Sequence, residues 1–148
     1  MVFIYHIYEV TEVKGIVNLS EASLLALHSM ALLAQNQNEP LTTKKMAQMT
    51  ASSEAHLSKV MQRLVKVNLV TSNRGPSGGF HLKRPVDSIT LLEIYEAIEG
   101  PLKEGSCFSK EGHCPFQRCL FGGLIEKMRH EFRQYLSLKT LKDLVESQ

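Results

Sequence analysis

Apolar residues recur at helical spacing along most of this chain, and the period shortens in one stretch near its middle. From Ser20, a predicted N-cap, ASLLALHSMALLAQ is apolar on nearly every side, as expected of a helix buried at the centre of a domain. Asn36, Asn38 and Pro40 end it. Thr42 is then placed to cap a short second helix, TKKMAQMT, with Met46, Ala47 and Met49 predicted to face inward. TASS supplies a turn, and Ser53 caps a third helix. In that helix Leu57, Val60, Met61, Leu64 and Val65 follow the i, i+3, i+4, i+7, i+8 template without a miss. Its other face carries Ser58, Lys59, Gln62, Arg63 and Lys66, all able to donate hydrogen bonds.

LVTS and FHLKR then read as two short strands around RGPSGG, a turn whose residues permit tight geometry. Two helices joined by a tight turn and followed by a hairpin predict a winged helix-turn-helix, mainly α with a small β-hairpin wing. Arg74 falls at the wing tip, where a guanidinium can enter a narrow minor groove. Beyond Pro85, Thr90 and Glu93 match a capping box, and the helix they open stops at Gly100-Pro101. LKEGSCFSKEGHCPFQRC reads as irregular backbone. Leu120, Leu124, Ile125, Met128, Phe132 and Leu136 then mark one face of a longer helix, its first turns weakened by Gly122 and Gly123. The tail LKTLKDLVESQ adds Leu138, Leu141, Leu144 and Val145 as a last apolar stripe.

The predicted organisation is an unassigned N-terminal arm (residues 1–18), a winged helix-turn-helix (19–100), a cysteine-rich loop (101–119), and a dimerisation helix with its tail (120–148). The long helix has a full apolar face outside the reading head, so it needs a cover. A second copy of the chain is the simplest cover, and folding back on its own domain is the alternative.

Composition sharpens this picture in three ways. With 148 residues and 43% hydrophobic content, the chain can bury a core. The apolar start MVFIYHIYEV lacks a basic leader and a small-residue cleavage pattern, so neither a signal peptide nor a membrane span is expected. The net charge of +2 is unevenly spread: residues 42–84 hold eight Lys or Arg against Glu54 alone, about +7, leaving −5 for the remainder. Such segregation is what a phosphate-facing segment requires, with a merely solvated basic face as the alternative. No Ser/His/Asp signature or HExxH occurs, and RGPSGG lacks the lysine of a phosphate-binding P-loop, so the chain is not expected to be an enzyme.

All three cysteines, Cys107, Cys114 and Cys119, fall in the irregular stretch. An odd number argues against a disulfide framework, and clustered thiols in a reducing cytoplasm read as metal ligands. Three chemistries fit: an iron–sulfur cluster, a Zn²⁺ site of Cys₃His type, or metal-free reactive thiols. Any cluster needs a fourth ligand. His113 adjoins Cys114, which makes joint ligation awkward; the candidates are His28 on the first helix, able to arrive from a second subunit, and a non-protein or weak ligand, with a locally satisfied helix histidine as the ordinary reading of His28.

From Asn18 to the end, the chain resembles the redox-response-factor family of bacterial winged-helix regulators, with its IscR-like and NsrR-like members. LVKVNLVTSNRGPSGGFHLKRP followed by SITLLEIYEAIEG carries the resemblance most specifically; the three cysteines and the TLKDL tail agree in order. The resemblance implies a homodimer paired through the long C-terminal helices, usually a repressor. It also implies a [2Fe-2S] or [4Fe-4S] cluster on the cysteines that senses redox poise, nitric oxide or iron–sulfur status. The chain departs from the family at four places. Six residues separate Cys107 from Cys114 and four separate Cys114 from Cys119, a less even spacing than family members commonly show. Gly122 stands where IscR-like members place a histidine, and Leu24 where NsrR-like members place an acid. Ser58 replaces an IscR-like glutamate.

The predicted DNA surface comprises Thr43, Lys44, Ser53, Glu54, Ala55, His56, Ser58, Lys59, Gln62, Arg63, Arg74 and Ser77, facing a roughly palindromic operator. The rival expectation is a cluster-free winged-helix regulator controlled by thiol oxidation or by a partner protein.

Overall fold

Four hydroxyl side chains start four helices. The Oγ atoms of Ser20 and Ser53 and the Oγ1 atoms of Thr42 and Thr90 each accept from the backbone N–H three residues on, at 3.1–3.2 Å. In the computed structural model, which describes residues 17–102, 116–118 and 120–146, these caps open α1 (Glu21–Gln35), α2 (Thr43–Met49), α3 (Glu54–Lys66) and α4 (Leu91–Glu99). The capping box at Thr90 is complete, the Thr90 N–H donating to Glu93 Oε2 at 3.0 Å.

α1 is the central element, packing on α3, α4 and the C-terminal helix α6 (Leu141–Glu146). Its Leu25, Ala26, Met30 and Leu33 join Leu57, Met61, Leu64, Ile94 and Tyr95 in one core. The predicted apolar face of α3 is buried, Val65 only partly. Two expectations need correction. Met49 does not face inward; it lies at the end of α2, 52% exposed. Leu24 is also largely exposed, because α1 keeps one side towards solvent.

The α2–α3 turn contains Ala51 at φ +52°, a left-handed conformation for a residue with a Cβ. After α3 the chain leaves through a Schellman motif: Leu69 N–H donates to the Leu64 carbonyl and Asn68 N–H to that of Val65, both at 3.0 Å. Asn68 sits at φ +63°, and its Oδ1 accepts from Lys83 Nζ at 2.6 Å.

The wing pairs β1 (Val70–Asn73) with β2 (Gly79–Leu82) antiparallel, Val70 opposite Leu82 and Asn73 opposite Gly79. The strands lie within a residue or two of LVTS and FHLKR. Leu41, just before α2, exchanges both backbone hydrogen bonds with Phe80, so the wing is stitched to the entrance of the helix-turn-helix. Gly79 permits this approach: a Cβ there would lie 2.9 Å from the Leu41 carbonyl oxygen.

The C-terminal helix differs from expectation in where it starts and what it buries. Residues 120–123 form turns, Gly123 takes φ +82°, and α5 runs Leu124–Leu138. The glycines therefore precede the helix rather than weaken it. The anticipated single apolar face is two. Ile125 and Leu136 are buried and Phe132 partly so, its ring edge-on to Tyr95 at 5.3 Å. Leu124, Met128, Tyr135 and Leu138 form a second stripe, roughly 100° round the helix, and are 42–71% exposed. α6 closes back on the head through Leu141, with backbone bonds from Leu91 to Lys139 and from Leu141 to Ile89.

Candidate nucleic-acid interface and cysteine-bearing segment

The geometry of α2, α3 and the wing decides which predicted side chains are available to a nucleic acid. Thr43 and Lys44 occupy the first turn of α2, Thr43 half-buried and Lys44 exposed. Ser53 is committed as the α3 cap, while Glu54 and Ala55 beside it are exposed. Ser58 is half-buried; Lys59 and Gln62 are exposed on the same helix. His56 turns towards α1, its Nδ1 3.8 Å from Glu21 Oε1. Arg74 and Ser77 lie in the exposed turn between β1 and β2. Lys45 and Lys66, exposed cations of α2 and α3, fall outside the predicted set although the charge count of residues 42–84 pointed at them.

Not every cation of that basic segment is free. Lys83 bonds Asn68, and Arg84 Nη2 pairs with Glu93 Oε1 at 2.6 Å. Arg63 Nη1 donates to the Ile98 carbonyl at 3.2 Å. The remaining Lys44, Lys45, Lys59, Lys66 and Arg74 are exposed and have no ion pair among the described residues. Five outward charges per chain remain, fewer than the eight in the sequence, and all lie on α2, α3 and the wing.

The Arg84–Glu93 pair shows the electrostatic logic behind the wing. Burial alone would push the Glu93 carboxyl upward, but the Thr90 N–H and the Arg84 guanidinium outweigh it and hold the group below its ordinary value.

Cys107, Cys114 and Cys119, together with His113, lie outside the described residues, as does the proposed arm as far as residue 16. His28 lies on the exposed side of α1, one turn beyond Leu24. Among the described residues no group of three or more His, Cys, Asp or Glu is placed to hold a metal ion, and no helix is long and apolar enough to cross a membrane.

The profile of the Rrf2 family, described as an iron-dependent transcriptional regulator, matches residues 19–147. The HTH-type transcriptional regulator IscR of Xenorhabdus nematophila is 30% identical over 124 residues, spanning 84% of this chain and 71% of that protein. Among solved structures, CymR, the global cysteine regulator of B. subtilis, superposes with a TM-score of 0.77 at 28% identity, covering 89% of this chain and 98% of that one. T. potens IscR superposes with a TM-score of 0.72 at 26% identity, covering 88% of each chain. These relatives and this fold are those of transcription regulators rather than enzymes. With a winged helix-turn-helix beneath a profile match that spans nearly the whole sequence, the chain belongs to the Rrf2 family of transcriptional regulators.

Proposed function

We propose that this regulator is a cytoplasmic homodimeric repressor whose grip on a roughly palindromic operator is set by an iron–sulfur cluster on Cys107, Cys114 and Cys119. The observation that carries the reading is the position of the three thiols. They occupy the segment between α4, which packs on the recognition helix α3, and α5, in a chain whose family is described as iron-dependent. The donor set suits such a cluster, since thiolates are the soft ligands that iron–sulfur centres take. The fourth position falls to His28 of a second subunit or to a non-protein ligand. When bound, the cluster supplies an oxidisable, nitric-oxide-sensitive centre.

The protein's own residues do the reading. Lys44, Lys45 and Lys59 meet phosphate, Lys59 and Gln62 with Ser58 address base edges, and Arg74 enters the minor groove from the wing tip. The exposed stripe Leu124, Met128, Tyr135 and Leu138, continued by Leu120 and Phe121, is the face that pairs two copies.

The test is anaerobic purification with iron and sulfide analysis, followed by operator selection on cluster-loaded and cluster-free forms. The reading expects brown protein whose affinity differs between the forms, and loss of that difference in the Cys107→Ala, Cys114→Ala and Cys119→Ala variants. Colourless, iron-free protein with DNA binding indifferent to all three replacements refutes it. In the same assay Arg74→Ala weakens the preferred site by about 1–3 kcal/mol.

A second reading is favoured by the similarity to Staphylococcus aureus CymR, of which an oxidized form is solved: a cluster-free repressor whose thiols are themselves the sensor. Iron-free protein whose DNA binding responds to thiol oxidation would select it.

A further inference from the structure

The C-terminal turn of α4 is a junction at which three other elements meet. A helix C-terminus leaves carbonyl oxygens without intrahelical partners and carries partial negative charge, so it attracts cations. From α3, Arg63 Nη1 reaches across to the Ile98 carbonyl at 3.2 Å. From α5, Arg133 Nη1 lies 3.5 Å from Glu96 Oε1 and 3.4 Å from the Leu102 carbonyl oxygen, while Glu96 Oε1 accepts the Leu102 N–H at 3.1 Å. From the segment that leads into α1, Ser20 and Asn18 donate to the Glu99 carboxylate.

Arg63 stands on the polar face of the recognition helix, where charge alone would make it a DNA contact. Its guanidinium is instead partly spent on the backbone of α4. A planar guanidinium has fixed donor directions, so this bond constrains the rotation and tilt of α3 against α4. Arg133 clamps the same turn to α5, the helix that carries the exposed pairing stripe. The two arginines thus bracket residues 96–102 between the DNA reader and the dimer helix.

We propose that Arg63 is a positioning residue: by holding α3 to the end of α4, which Arg133 holds to α5, it fixes the angle between recognition helix and dimer helix and so sets the half-site spacing that the regulator accepts. The proposal rests on the dimeric, operator-binding reading above. Two recognition helices mounted rigidly on a pairing axis demand one separation, whereas loosened mounts tolerate several.

The test measures binding of the full-length protein to operators whose half-sites are unchanged but whose spacer is lengthened or shortened by single base pairs. Wild type is expected to discriminate by about tenfold against a shifted spacer, the scale of an ordinary coupling between sites. Arg63→Met, which keeps an aliphatic stem, removes most of that discrimination while leaving the base preference within each half-site and the salt slope unchanged. Arg63→Lys restores part of it, and Arg133→Met loosens it in the same direction. Circular dichroism melts verify that each variant is folded, and a variant that fails to fold is replaced by Arg63→Gln.

A uniform loss of affinity with a salt slope lowered by about 1 would make Arg63 a phosphate contact and overturn the proposal. Altered base preference would make it a base reader, with the same consequence, and so would variants that behave as wild type. Wild-type protein that binds without any spacing preference would overturn the dimeric-operator reading and this proposal together.

Discussion

Single side chains in this protein hold positions that are worth small, measurable amounts of stability. Ser29 is buried at 0% exposure, and its Oγ has no hydrogen-bond partner among the described residues. An unserved buried hydroxyl costs more than it returns, so Ser29→Ala is expected to stabilise the fold by about 1 kcal/mol, read in urea unfolding. Glu93 acts in the opposite sense. Its folded carboxyl is held below the ordinary 4.5. Its contribution is therefore fully present above that value and is lost as pH falls from there through the folded value. Thermal melts from about pH 7 to pH 3 should show a shallower acid loss in Glu93→Gln than in wild type, with lower stability at neutral pH. An identical acid limb in the two proteins would contradict the assignment.

At the scale of elements, the helix-turn-helix carries strain that its chemistry does not require. Ala51 adopts φ +52° in the turn between α2 and α3, a conformation that glycine takes without penalty. Ala51→Gly should stabilise by about 1 kcal/mol, raising the melting temperature by about 2–4 °C for a chain of this size. DNA affinity should not fall, because the turn's backbone path is unchanged. Asn68 meets a similar demand by a different route: asparagine tolerates the left-handed region, and its side chain accepts from Lys83. The α3 exit and the base of the wing are therefore one structure rather than two joined by a loop.

For the whole molecule, the decisive feature is α5, which buries one apolar stripe on its own chain and leaves a second uncovered. A face containing Leu124, Met128, Tyr135 and Leu138 at 42–71% exposure is unusual on a helix whose other side is already packed. Tyr135→Glu combined with Leu138→Glu should convert a dimer into a folded monomer in sedimentation measurements, since neither side chain serves the core. Operator affinity should then fall by at least about 100-fold through loss of the second reading head. Monomeric wild-type protein would remove the basis for that expectation. Operator binding should also weaken steeply with salt, because five exposed cations on α2, α3 and the wing have no ion pair among the described residues.

Most of the fold was legible from residues alone because its signals are local. Caps at Ser20, Thr42, Ser53 and Thr90, the unbroken apolar register of α3 and the glycine-rich wing turn depend on neighbours within a few positions. The class of protein was equally legible, since charge segregation and order of elements need no coordinates. Contacts between distant residues decided the rest. Nothing near Met49 in the chain says that it points to solvent, or that the stripe of α5 divides in two. Periodicity defines an apolar face but not which neighbour covers it. Charge counting likewise marked Arg63, Lys83 and Arg84 as available to phosphate. Only the tertiary structure shows those three cations engaged by internal acceptors, the Ile98 carbonyl, Asn68 and Glu93, because a cation's partners can lie many residues away in sequence.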